Sequence, residues 1–274
     1  MDWDLVQLLT SIVAGAFSVL VALSWKIGRL EGQIEYLKSM MEAHKISAEA
    51  LEYARANSEK IVKKYLSGVP KVKDPKSIFM AGAPGAGKTD VSKRFLENLS
   101  FVNGEKFMRI DPDELRKELP GYDGENADSF QEAATFLADK LHLAALKSGV
   151  NFVWDGTFSK LEIQKQNIDH SLQQDRLVVV IYVHQTPKVA WRFVWTRQKT
   201  EGRSVPRAKF ITKYIESRNV ANALKEHFGN NIRLNLVIKD GKGNDLSRHS
   251  DIDSLDNHLE KAYNKDELKK ILGG

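Results

Sequence analysis

Apolar and polar positions divide the chain into three stretches. From Leu5 to Trp25, LVQLLTSIVAGAFSVLVALSW, no charge interrupts 21 residues. A helix needs about 20 mostly apolar residues to cross a membrane. Gln7, Thr10, Ser11, Ser18 and Ser24 are tolerable there, since helical hydroxyls bond back to the backbone. The run therefore predicts a transmembrane helix. A signal peptide fits less well, because MDWD has no basic segment and no small-x-small cleavage site precedes Lys26. Lys26, Arg29 and Lys38 follow the run and no Lys or Arg precedes it. The positive-inside rule then predicts a single-pass membrane protein with the bulk of the chain in the cytoplasm. Small residues at Ser11, Gly15, Ala14, Ser18 and Ala22 would let two such helices approach closely.

The second stretch repeats by threes and fours. Ile27, Leu30, Ile34, Leu37, Met41, His44, Ala48 and Leu51 have the a/d spacing of a short coiled coil, which implies a homodimer through a helical stalk. A single amphipathic helix lying on the following domain fits the same spacing. Pro70 and Pro75, in GVPKVKDPK, end the pattern. The expected boundaries are a tail at 1–4, a span at 5–25, a stalk and linker at 26–70 and a folded domain at 71–274.

In the third stretch, short apolar runs alternate with helical periodicity. Strands are expected at about 77–81, 106–110, 150–155, 176–183 and 232–239. This is the pattern of an α/β fold, a doubly wound parallel sheet with helices on both faces, of the P-loop NTPase type once the motif below is added. The tail DSLDNHLEKAYNKDELKKIL reads as one amphipathic helix packing on the domain.

Composition narrows the chemistry. With 274 residues and 42% apolar content, collagen-like and wholly disordered chains are excluded. No cysteine is present, so disulfides, thiolate metal sites and cysteine nucleophiles are excluded too. Lys and Arg number 41 against 36 acids, a net charge of +5, too mild by itself to argue for nucleic acid.

Directly after the first strand comes Gly82-Ala83-Pro84-Gly85-Ala86-Gly87-Lys88-Thr89, then the helical VSKRFLENL. This is G-x-x-x-x-G-K-[ST] in its required context of strand, loop and helix. Glycines let amide groups point at phosphate oxygens, and the helix N-terminus adds its positive end. Lys88 is expected to reach the β/γ-phosphates of ATP and Thr89 to ligate Mg²⁺. A GTPase would need Asn-Lys-x-Asp, but Asn264-Lys265-Asp266-Glu267 has the wrong fourth residue. A motor-type ATPase would end an apolar strand in Asp-Glu, whereas Phe152-Val-Trp-Asp155-Gly-Thr157 ends in Asp-Gly-Thr. A small-molecule kinase fits better.

Two charged segments follow this cradle. Residues 111–139 carry nine acids against two bases, and 188–218 nine bases against two acids. In the first, Asp111 and Asp113 follow a strand, where ligands of parallel sheets bind. A carboxylate there can serve as a general base or hold Mg²⁺ through water. Asp111-Pro-Asp-Glu is also a good helix start. The expectation is Asp111 as a cap with a weak metal role and Asp113 as the working carboxylate. In the second segment, Glu201-Gly-Arg-Ser-Val-Pro206 reads as a lid loop between two helices, whose arginines would stabilise a transferring phosphoryl group. A solvated face and an RNA-binding patch are the alternatives. Trp191, Phe193 and Trp195 stand at helical spacing, so core packing is expected for most of them.

Together these motifs resemble the zeta toxin family of P-loop kinases, over about residues 76–240. Family members phosphorylate a sugar hydroxyl of UDP-N-acetylglucosamine with ATP and Mg²⁺. The resemblance carries over Lys88 and Thr89 from GAPGAGKT. It gives Asp113 of Ile110-Asp111-Pro-Asp113-Glu-Leu115-Arg116 as catalytic base. Asp155 and Thr157 match the family's Glu-Gly-Thr, and Asp139 its substrate-holding Glu on the preceding helix. Arg197 and Arg203 match its phosphate-binding arginines. Both substrate carboxylates are Asp here, one methylene short, so the acceptor can be UDP-N-acetylglucosamine or another nucleotide-linked metabolite such as NAD. The resemblance also implies an antitoxin or inhibitor protein as partner and makes nucleic acid an unneeded one. A nucleotide-binding switch without catalysis is the competing function.

Overall fold

The computed structural model describes residues 3–201 and 205–273. The chain forms two compact units, residues 1–49 and 50–274. The first helix, α1 (Trp3–Leu66), is continuous through the expected span and stalk. The boundary falls earlier than the linker at Pro70, because Ala50, Ala54 and Ile61 are buried in the second unit. Among the described residues no helix is long and apolar enough to cross a membrane. The expected transmembrane segment at Leu5–Trp25 forms the first part of α1. The side chains at 5, 6, 8–10 and 12–14 lie outside the described residues.

The second unit is built on six strands: β1 (Lys76–Ala81), β2 (Phe107–Ile110), β3 (Asn151–Asp155), β4 (Leu177–His184), β5 (Ile232–Lys239) and β6 (Asp245–His249). Their order is β2-β3-β1-β4-β5-β6. The first five pair in parallel, close to the expected positions, and β6 returns antiparallel along β5. The inner strands read as continuous apolar runs because both faces of a parallel sheet are covered. Ser77 through Ala81 are all buried.

The helices are α2 (Lys88–Asn103), the single turn α3 (Pro112–Leu115), α4 (Gln131–Ser148), α5 (Leu161–Leu172), α6 (Pro187–Glu201), α7 (Arg207–Phe228) and α8 (Lys265–Ile271). Strand side chains alternate between faces, so register decides what meets what. Ile78, Met80, Val153, Ile181 and Val183 share one face and pack with Ala86 and Val91 of the first loop and α2. Phe79, Phe152 and Trp154 share the other, where His142 of α4 stands edge-on to their rings at 5.1–6.3 Å. Trp191 packs on Phe210 with ring centroids 4.9 Å apart, whereas Trp195 is exposed.

The C-terminal tail is not one helix. Leu255–Asn257 form a 3₁₀ turn, and α8 starts only at Lys265. Asn264 caps it: its side chain accepts from the amides of Asp266 and Glu267, and Glu267 accepts from the Asn264 amide. That reciprocal pair defines a helix start and breaks the expected continuous run.

Candidate active site

Strand ends assemble the site. The carboxyl end of β1 runs into Gly82, which lies against the backbone of Val183 on β4. Gly85 has φ +74, and a Cβ there would stand 2.1 Å from the carbonyl oxygen of Ala190. No side chain but hydrogen fits. Gly87, the N-cap of α2, is also left-handed, and no side chain caps this helix end. The first-turn amides of α2 are therefore left for an outside acceptor, the arrangement that suits a phosphate.

Lys88 rests on the loop itself: its Nζ donates to the carbonyls of Gly82 at 2.9 Å and Ala83 at 2.8 Å. Burial pushes its ammonium down to about 8, Asp155 and Asp113 act against that, and Lys213 and Arg197 add to it. The fields of those four groups therefore reach Lys88. The loop after β1, the turn after β2, the end of β3 and helices α6 and α7 converge on one place. Thr89 follows in the first turn of α2, and Ala83, Pro84 and Ala86 complete the loop.

The acidic side follows from strand periodicity. Met80 pairs with Asp155 and Val153 with Arg109, so Arg109 and Asp155 point to the face that α2 covers. Arg109 bridges two carboxylates, Asp111 at 2.8 Å and Asp155 at 2.7 Å. Asp155 Oδ2 also accepts from Ser92 of α2 at 3.2 Å. This places Asp155 beside the phosphate loop, with its Oδ2 engaged by Arg109 and Ser92. Asp111 is buried and caps α3, accepting from the Asp113 amide at 2.9 Å. Burial, then repulsion by Asp155 and Asp113, pushes its carboxyl up to about 6, with Arg109 and that amide opposing.

Asp113 is more open. Its Oδ1 accepts from Arg116 at 2.8 Å, and Arg116 is itself buried and bound to Gln131 at the start of α4. Arg116 thus fixes the direction of the Asp113 carboxylate. Thr157 lies in the turn after β3, 3.3 Å from the Ser159 hydroxyl. The next residue, buried Phe158, has φ +58, a strained conformation for a bulky side chain. Asp139 stands on the exposed face of α4, two turns beyond Gln131. Burial raises its carboxyl above the usual range. Among the described residues no hydrogen bond or ion pair links Asp139 to Lys88, Asp113 or Asp155. Arg197, near the end of α6, is joined through its effect on Lys88. Arg203 lies outside the described residues, in the break between α6 and α7.

Four contributors escaped the sequence reading. Arg109 stands two residues before Asp111 on one strand, and Arg116 three after Asp113 in one turn, both readable from periodicity. Lys213 was visible only as one of nine bases. Lys239, at the end of β5, is buried with its Nζ 3.1 Å from both Asp90 and Asp245, and its Cε lies 3.4 Å from where a Gly87 Cβ would be. Among the described residues no cluster of His, Asp and Glu has the form of a preformed metal cage.

The fold and this constellation define a P-loop kinase-like protein with a mostly parallel sheet. The profile of the Zeta toxin family matches residues 59–251, and the chain belongs to that family. A structure from the PezAT chromosomal toxin–antitoxin system of Streptococcus pneumoniae is similar at 15% identity and TM-score 0.56, over 81% of this chain and 86% of that one. The AvrRxo1-ORF1:AvrRxo1-ORF2 complex with ATP is similar at 15% identity and TM-score 0.53, over 83% of this chain and 71% of that one. The same complex with sulphate ions gives 15% and 0.52, over 74% and 65%. No curated protein sequence matches the chain.

Proposed function

We propose that the chain is an ATP-dependent kinase that transfers the γ-phosphoryl group to a sugar hydroxyl of a nucleotide-linked metabolite. UDP-N-acetylglucosamine is the first candidate and NAD the second. The observation that carries this reading is a hydrogen-bonded chain from Ser92 of α2 through Asp155, Arg109 and Asp111 to the Asp113 amide, which joins a donor cradle to a carboxylate that can accept a proton.

In this mechanism the amides of Gly85–Thr89 grip the phosphates, and Lys88 exchanges its two carbonyl partners for phosphate oxygens. Thr89, with Asp155 or Asp111 through water, would hold Mg²⁺, which supplies charge neutralisation at the β- and γ-oxygens. The donor set, a hydroxyl and acidic oxygens beside an uncapped helix end, fits a hard cation bound together with a nucleotide. Asp113, aimed by Arg116, takes the proton of the attacking hydroxyl. Arg197 and Arg203 balance the charge on the moving phosphoryl group, with Lys213 as a third cation. Because Asp155 is held by Arg109 and Ser92, the acceptor is gripped differently from the two-glutamate pattern that the resemblance implies, and Thr157 is left as its near neighbour.

A direct test is to incubate the full chain with γ-labelled ATP and, separately, UDP-N-acetylglucosamine, NAD and a metabolite extract. Label appearing in a phosphorylated metabolite supports the reading. ATP binding with no labelled product from any of the three would favour the nucleotide switch instead.

The PezAT likeness supports a second proposal, that a protein partner neutralises the chain as an antitoxin. Growth arrest on expression of the intact chain, absent with Lys88→Ala, is the expected sign of an activity needing such control.

A further inference from the structure

We propose that residues 20–41 of α1 form a parallel, two-stranded coiled coil with a second copy of this chain. The inference rests on the first unit alone and is independent of the kinase reading. Leu20, Leu23, Ile27, Leu30, Ile34, Leu37 and Met41 occupy seven successive a and d positions. Every one is at least 50% exposed in the single chain, although all are large and apolar. From Ile27 to Met41 they form a stripe bordered by charged positions, which is the geometry of a coiled-coil seam, whereas apolar residues such as Val21 and Trp25 surround the helix at Leu20 and Leu23.

Lipid is the other apolar solvent available to such a stripe, and charge argues against it here. Arg29, Glu31, Glu35 and Lys38 are exposed and interspersed along the seam from Ile27 to Met41, and exposed Lys26 and Glu42 bound it. A helix carrying them cannot be immersed in hydrocarbon without burying unpaired charge. A second helix of the same sequence covers the stripe and leaves those charges in water.

The residue types select the form. Ile27 and Ile34 are β-branched at a, and Leu23, Leu30 and Leu37 are leucine at d, the combination that favours two parallel strands. Parallel pairing sets Lys26 at g against the partner's Glu31 at e, twice by symmetry. The next g-to-e pairs are Gln33 with the partner's Lys38 and Met40 with the partner's Lys45, so no like charges face each other. Parallel register also stacks the bulky layers on one another and leaves the weaker His44 and Ala48 layers together at the far end.

The chain has no cysteine, so single cysteines report this geometry cleanly. In the full-length chain in mild detergent, Leu30→Cys and Leu37→Cys are expected to form a disulfide-linked dimer under gentle oxidation, because facing d positions lie within disulfide reach. Ser39→Cys, on the outer face, is expected to stay monomeric. Absence of dimer at both seam positions, or equal cross-linking at 39 and 37, would overturn the proposal. A second measurement guards against a cysteine variant that folds badly. The unmodified chain should sediment as a dimer, and Ile34→Asp with Leu37→Asp as a monomer with unchanged ATP affinity. An unmodified chain that sediments as a monomer, or that sheds its self-association only when lipid is removed, contradicts the inference.

Discussion

Asp113 and Lys88 separate binding from chemistry. Asp113→Ala is expected to lower the rate of phosphoryl transfer by about 10²- to 10⁴-fold, the usual contribution of a general base. ATP affinity, measured by calorimetry, should barely change. Lys88 carries a pH signature. Its ammonium is held down to about 8 in the free protein by burial, and a bound triphosphate favours the charged form. Binding should therefore take up a proton above pH 8, and ATP affinity should fall as pH rises through that value. Titrations in buffers of different ionisation enthalpy measure the uptake directly. Gly85→Ala would force a Cβ into the Ala190 carbonyl at a left-handed φ, costing roughly 2 kcal/mol or more in stability and removing ATP binding. At this scale the spacing of Gly82, Gly85, Gly87 and Lys88 was fully legible, because the loop's chemistry is local. The hydrogen bonds of Asp155 to Arg109 and Ser92 were not, because they depend on which face the strand register turns toward α2.

Among the elements, the parallel strands were readable from their unbroken apolar runs, and β6 was not. DLSRH alternates exposed and half-buried positions at a sheet edge and looks like any polar loop. What holds it is charge. Asp245 meets Lys239 at 3.1 Å, Arg94 at 2.8 Å and Arg248. Burial opposes its ionisation, but hydrogen bonds from Arg248, Lys239 and Arg94 bring its carboxyl down to about 2. The stability this supplies is complete above the unfolded value of about 4 and is lost as pH falls from there through 2. Lys239 is the vulnerable partner, since its side chain is only 2% exposed. Asp245→Ala should cost about 1–3 kcal/mol in urea unfolding, because it removes one of the two carboxylates on that ammonium and leaves it only the exposed Asp90. Adding Lys239→Met should recover much of the loss, and a double-mutant cycle measures the coupling. The Asn264 cap went unread for a different reason. Asn-Lys-Asp-Glu was weighed as a nucleotide motif, whereas its spacing is that of a capping box.

For the molecule as a whole, the folded unit begins inside a helix rather than at a proline-rich linker. Lys64, near the end of α1, pairs with Glu118 at 2.7 Å, and the Tyr65 hydroxyl reaches the same carboxylate at 3.3 Å. Glu118 closes the 3₁₀ turn that follows α3, next to the segment bearing Asp111 and Asp113. Residues 50–274 alone should therefore retain phosphoryl transfer, whereas 71–274 should lose stability and activity, as thermal unfolding and the labelled-ATP assay would report. Sequence periodicity fits both a stalk and a helix lying on the following domain, and does not decide that the last turns of α1 belong to the sheet domain. Small alanines such as Ala50 and Ala54 mark close packing without any apolar bulk to announce it.

Leu268 of α8 sits in one apolar cluster with Ala83 of the phosphate loop, Phe210 and Tyr214. An affinity handle or fusion partner attached behind that helix would push on the nucleotide cradle itself. Preparations tagged there should show weakened ATP binding that a tag at the opposite terminus does not cause, and an inactive sample of that kind would say more about its label than about its chemistry.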